Sequence, residues 1–324
     1  MHEDSALLKW DEVGRSQWFG LKYYAKCLLS HPRFNRCMVS VLKQPLLLKN
    51  SKLIPRLPVN KPEVTGRAGD VSFTLTCPLR CCIAKELFWG DGQRTHAPDR
   101  LALRTFAVLS AVCDTILDIG SNTGIFSIAA ARANPNAHVH AYEILPEAAD
   151  LLEQNALRNG CRSRVHVHRV GIGRDGDMVT LPGLNKFSSV PTGLSTKSQY
   201  TYGTTVAVHS LDAQASLIAS QAEVLLKIDV EGTEDEIFAG GTHFLQCFRP
   251  CTLCEILPRQ RNARNIASQL KALGYRFYRI DDDRLNESPE LIPSEQFHDW
   301  LLVPRDEIDL LSAAGINVTR MRRP

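Results

Sequence analysis

Residues 116–124 read ILDIGSNTG. Thr115, Ile116 and Leu117 make an apolar strand run that ends in Asp118. Gly120 and Gly124 punctuate the turn that follows, and the small apolar run IFSIAAA occupies 125–131. Gly120 can take backbone angles that a Cβ forbids, and both glycines let a ligand approach the main chain. A helix that begins here aims its free N–H groups and its positive end at whatever is bound. This is the strand–turn–helix of a nucleotide-cofactor loop in an α/β chain. It is not the dinucleotide Gly-x-Gly-x-x-Gly pattern, because Asn122 stands where the middle glycine would be.

One βα unit on, HVHAYE (138–143) forms a short alternating strand that ends in Glu143. Pro146 opens a helix, PEAADLLEQNALRNG, and Gly160 stops it. An acid at the end of the second strand is where ribose hydroxyls are held, since one carboxylate can accept from both. After the third strand, RVHVHRVGIG (164–173), Gly171 and Ile172 stand where the adenine is lined.

The third signal is VLLKIDVEG at 224–232, followed by TEDEIFAGG. An interior parallel strand is expected to be apolar on both faces. Here Lys227, Asp229 and Glu231 alternate and so share one face at the strand's carboxyl end. Three charges there are costly unless they are paired or bind something.

The segments LDIGSNTG, YEILPEAADLLEQNALRNG, KIDVEGTEDEIFAGG and CEIL (254–257) together resemble the FkbM family of S-adenosylmethionine-dependent methyltransferases, from about Val71 to about Arg305. The resemblance implies a class I methyltransferase fold, a Rossmann-like doubly wound α/β sheet of seven strands whose last strand is antiparallel. It implies S-adenosylmethionine as cofactor, held by Asp118, Gly120, Asn122, Gly124, Glu143, Gly171 and Ile172. It also implies O-methylation of a sugar, glycan or other natural-product hydroxyl. Two departures stand out: the turn reads GSNTG where the family has GANxG, and GDGQRTHAP (90–98) puts Thr95 and His96 where the family often carries Tyr-Glu-Pro.

The length of 324 residues suits one large α/β domain plus an extension. The expected division is a basic, partly helical extension at 1–70, a methyltransferase domain at 71–310 and a tail at 311–324. Net charge is only +3, but residues 13–62 hold ten Lys or Arg and no Asp or Glu. From Val71 onward there are 26 basic and 29 acidic residues. No run is long enough to span a membrane, and the acidic start lacks the form of a signal peptide. A cytoplasmic location is expected, with Trp18, Phe19, Tyr23 and Tyr24 among the basic residues suited to peripheral contact with an anionic membrane. The competing expectation is that the extension packs on the catalytic domain.

The ten cysteines read as reduced thiols. Cys247, Cys251 and Cys254 have the C-x3-C-x2-C spacing that can hold a four-iron cluster. They fall in a late, apolar, strand-like run, and the glycine turn already accounts for the cofactor, so no cluster and no metal is expected.

Methyl transfer needs positioning and, for a hydroxyl acceptor, removal of a proton. Asp229 is the expected base, with Glu231 and Glu255 orienting Lys227 or the acceptor; His96 and His209 are rivals. The expected acceptor is a small molecule or glycan, lipid-linked if the extension holds the chain at a membrane, and nucleic acid is not an expected partner. The alternatives are methylation of a macromolecule, protein or RNA, and a binding protein that has lost catalysis.

Overall fold

The computed structural model describes residues 28–43, 57–184, 189–191, 200, 202–258, 262–307, 311, 315–316 and 318–320. Trp18, Phe19, Tyr23 and Tyr24 lie outside these residues. The chain opens with helix α1 (Pro32–Leu42), the hairpin β1 (Glu63–Ala68) and β2 (Val71–Thr76), and helices α2 (Cys82–Trp89) and α3 (Ala97–Ser110). Then come β3 (Thr115–Ile119), α4 (Ile125–Ala133), β4 (His138–Tyr142), α5 (Pro146–Arg158) and β5 (Val165–His168). The short strands β6 (Gly171–Ile172), β7 (Met178–Leu181) and β8 (Thr204–His209) follow. The second half carries β9 (Val224–Ile228), α6 (Glu234–Ala239), α7 (Thr242–Phe248), β10 (Cys251–Glu255), α8 (Ala263–Ala272) and β11 (Tyr275–Ile280). It closes with β12 (Leu285–Ser288), β13 (Asp299–Pro304) and β14 (Val318–Arg320).

The main sheet has the order β14-β12-β11-β13-β10-β9-β3-β4-β5. β5, β4, β3, β9 and β10 are mutually parallel, and β13 runs antiparallel to both β10 and β11. This is the expected doubly wound class I sheet with its last long strand reversed. Two short strands, β12 and β14, extend it beyond the expected seven. The division of the chain also needs correcting. A boundary at 70 would cut the β1–β2 hairpin, in which Ala68 pairs with Val71. Val318–Arg320, in the expected tail, pairs with β12.

Every residue of β3 and of β9 is buried, as central parallel strands require. One face packs against α3, α4 and the β1–β2 hairpin through Phe106, Ile116, Ile128 and Leu75. The other packs through Leu226, Ile237, Phe244 and Trp300. The extension docks where it is described: Met38, Val39 and Leu42 of α1 pack with Val59 and Trp89. Asn35 fixes the contact, donating to the Pro58 carbonyl at 2.8 Å and accepting from Asn60 N at 3.0 Å.

Candidate active site

The carboxyl ends of β3, β4 and β9 meet at one point. Gly120 N and Ser121 N both donate to the Tyr142 carbonyl at 3.0 Å, and Asp229 N donates to the Ile119 carbonyl at 3.0 Å. Gly120 has φ +76°, and a Cβ there would lie 1.7 Å from the Asp229 carbonyl oxygen. Only glycine lets the turn pass so close to β9. Above this junction opens a cavity of about 370 Å³, within the size range of small-molecule sites.

Of the expected cofactor residues, Gly120, Asn122, Glu143, Gly171 and Ile172 line the cavity. Asp118 and Gly124 do not. Asp118 is fully buried and serves the fold: its Oδ2 accepts from Ser127 N at 3.0 Å and Ser127 Oγ at 2.6 Å, tying β3 to the first turn of α4. Gly124 is needed for packing, since a Cβ there would meet Leu152 Cγ at 2.7 Å. Glu143 accepts from Asn122 N at 2.7 Å and Leu145 N at 2.8 Å, so its carboxyl is fixed at the cavity wall. Burial pushes it up to about 7.

Among the expected catalytic residues, Lys227, Asp229, Glu231 and Glu255 all reach the cavity. Lys227 donates to Asp229 Oδ2 at 2.9 Å, and its ammonium lies 4.6 Å from the centre of the Phe126 ring. Burial works against the Lys227 charge, but Asp229 and Asp118 outweigh it and hold the ammonium above its ordinary range. Glu231 has a left-handed backbone, φ +58°, and burial with Asp229 beside it raises its carboxyl to about 7. Glu255 is pushed well above the carboxylate range by burial and by Asp229 and Asp299. Oxygens of Asp229, Glu231 and Glu255 lie within 4.8 Å of one another, a set that could hold a hard divalent cation.

The rival histidines are elsewhere. His96 caps α3 from outside and bonds Asp99 at 2.7 Å with its side chain 52% exposed. His209 lies 3.9 Å from Asp175, also exposed. Three charged groups were missed by sequence reasoning. Glu86 and Arg94 line the cavity and bond each other at 3.0 Å. Asp299 is the register partner of Glu255, with its carboxyl raised to about 7 by burial. The thiols do not form a cluster site. Cys251 and Cys254 are three residues apart on β10 and so face opposite sides of the sheet, where they enter different cores, and Cys247 is exposed on α7.

Residues 118–277 match the methyltransferase FkbM domain. The chain carries an FkbM methyltransferase domain. Its cofactor is S-adenosylmethionine, and the cavity suits it. Glu143 stands at its wall beside the apolar side chains of Ile144, Val170 and Ile172, and Asp229, Glu231, Glu255 and Glu86 line it with Lys227 and Arg94. Two curated relatives share short stretches with this FkbM chain. Both are tRNA1(Val) (adenine(37)-N6)-methyltransferases. The one from Aliivibrio salmonicida is 42% identical over 52 residues, 16% of this chain and 22% of that protein. The one from Aliivibrio fischeri is 37% identical over 67 residues, 21% and 28% respectively. The chain thus spans about a quarter of the relatives it matches. Among solved structures it is similar to methyltransferase FkbM from Methylobacillus flagellatus, with TM-score 0.39, 14% identity and coverage of 59% of this chain and 43% of that one. It is also similar to the O-methyltransferase TomG from Streptomyces achromogenes, with TM-score 0.38, 14% identity and coverage of 68% and 85%.

Proposed function

We propose that this FkbM methyltransferase O-methylates a hydroxyl of a sugar, glycan or other natural product. The observation that carries this reading is the acidic cluster beside Glu143. Polyhydroxylated acceptors offer several hydrogen-bonding groups, and the carboxyl groups of Asp229, Glu231 and Glu255 line the cavity within 4.8 Å of one another. When bound, S-adenosylmethionine supplies an activated methyl group on a sulfonium. The chain's own residues then have two tasks: to orient the acceptor hydroxyl and to take its proton.

Sequence reasoning favours Asp229 as the base. Lys227 already occupies one of its oxygens at 2.9 Å. Glu231 is better matched, because a base works best with a pKa near the operating pH and its carboxyl stands at about 7. We therefore assign proton transfer to Glu231 and orientation of Lys227 and the acceptor to Asp229. Glu255, kept protonated by burial, can donate to an acceptor oxygen. Incubation with methyl-labelled S-adenosylmethionine and separate glycan, protein and RNA pools tests the reading against the macromolecular alternative.

We further propose that the acceptor is presented at an anionic membrane. Leu28, Phe34 and Val41 are exposed on the docked extension, next to Arg33 and Arg36. Among the described residues, no helix is long and apolar enough to cross a membrane. Contact would therefore be peripheral, through apolar and basic side chains together.

A further inference from the structure

Four of the ten histidines in the chain stand on two neighbouring strands at the sheet's edge. β4 reads HVHAY and β5 reads VHVH, and they pair in parallel with His140 opposite His166 and Tyr142 opposite His168. Side chains alternate across a strand, so His138, His140, His166 and His168 all project from one face, together with Tyr142. Their rings form a continuous file. Centroids lie 5.7 Å apart from His138 to His166, 5.2 Å from His166 to His140, 5.3 Å from His140 to His168 and 4.6 Å from His168 to Tyr142. The file begins at exposed His138 and ends at Tyr142, which lines the cofactor cavity and donates to Gln214 at 3.1 Å.

Two pairs of ring nitrogens face each other. His138 Nδ1 and His166 Nε2 are 3.4 Å apart, and His140 Nδ1 and His168 Nε2 are 3.0 Å apart. Nitrogens each about 2.0–2.1 Å from a tetrahedral zinc ion lie roughly 3.3–3.4 Å from one another. The outer pair already has that separation. Imidazole is a preferred ligand of zinc, nickel and copper ions. Methyl transfer leaves these side chains unused.

We propose that this histidine file binds a divalent transition-metal ion of the zinc class, held by the facing nitrogens of His138 and His166 with water completing the coordination. In the metal-free chain one ring of the facing pair donates its N–H to the other. When the ion enters, that ring carries its proton on its far nitrogen, and both facing nitrogens give a lone pair to the metal. Both imidazoles stay neutral, no bond to carbon changes and no redox partner is required.

The test uses the full chain without S-adenosylmethionine, titrated with zinc against a chromophoric chelator. One zinc ion per chain is expected. His138→Gln and His166→Gln should each weaken binding by more than about tenfold, since even an outer partner of a ligand is worth that much. His138 is exposed, so its variant tests the site without disturbing the core. Cys247→Ser, which removes the separate surface pair of Cys247 and His243 at 3.6 Å, should leave affinity unchanged. Copper(II) loaded in place of zinc should give nitrogen couplings in its electron paramagnetic resonance spectrum, and these should disappear in the double histidine variant. Absence of zinc binding by the unmodified chain, or equal binding by the double variant, would overturn the proposal.

Discussion

Asp118 and Lys227 are register partners on adjacent parallel strands, and the Lys227 ammonium lies 3.9 Å from the Asp118 carboxylate. The lysine thus stands between a fully buried acid below and Asp229 above. It neutralises the floor of the site and aims Asp229 at the cavity. Burial pushes Asp118 upward, and Lys227 offsets part of that rise.

Removal of Lys227 should therefore damage the fold before it damages chemistry. Lys227→Met keeps most of the side-chain volume but strands a buried carboxylate. Loss of one partner of a buried pair costs roughly 3–5 kcal/mol. Urea unfolding followed by circular dichroism should register a loss of that size. A loss under about 1 kcal/mol, the size of an exposed pair, would mean that the pair is solvated.

Glu143 should govern cofactor affinity. Glu143→Gln keeps the shape and removes the charge that ribose hydroxyls meet. A hydrogen bond to a charged group is worth about 1.5–3 kcal/mol, so affinity for S-adenosylmethionine should fall roughly 10- to 150-fold by calorimetry. An unchanged affinity in a folded variant would remove Glu143 from the ribose site.

Turnover should depend on pH through Glu231. Its carboxyl, raised to about 7, is mostly protonated below that value and free to accept a proton above it. Single-turnover rates should rise as pH passes through about 7 and then level. Glu231→Gln should lower the plateau by about 10²–10⁴-fold and flatten the profile. Asp229→Asn should reduce the rate while leaving the rise in place. If Asp229→Asn flattened the profile and Glu231→Gln did not, the two roles would exchange.

Much of the site is legible in the sequence because it lies at strand ends next to short motifs. Asp118, Glu143, Lys227 and Asp229 each sit within a few residues of a glycine turn or a helix start, so local pattern locates them. Orientation is harder to read. Asp118 and Gly124 belong to the turn motif, yet both face inward, toward Ser127 and Leu152. Glu86, Arg94 and Asp299 escape local reading because distant pairing brings them in. Asp299 reaches Glu255 only through the antiparallel β10–β13 ladder. The histidine file likewise requires the β4–β5 register, although both strands are recognisable. β12 and β14 are too short to carry an alternation that sequence pattern could find.

The basic extension should recruit the chain to anionic vesicles. At low salt the full-length protein should float with phosphatidylserine liposomes, and a version lacking residues 1–62 should not. Added salt should release the full-length protein, because exposed charges are screened beyond about 8–10 Å at physiological ionic strength. Equal flotation of the two versions, or binding indifferent to salt, would assign the extension to packing alone.

The central claim is transfer of a methyl group to a hydroxyl acceptor. Its most direct test is the partition of label from methyl-labelled S-adenosylmethionine among glycan and small-molecule, protein and RNA pools prepared from the cell of origin. Label is expected in the glycan or small-molecule pool, as a methyl ether stable to mild base, and it should be lost with Glu231→Gln. Label in RNA or protein instead, or no transfer to any pool by a chain that binds the cofactor, would contradict the account.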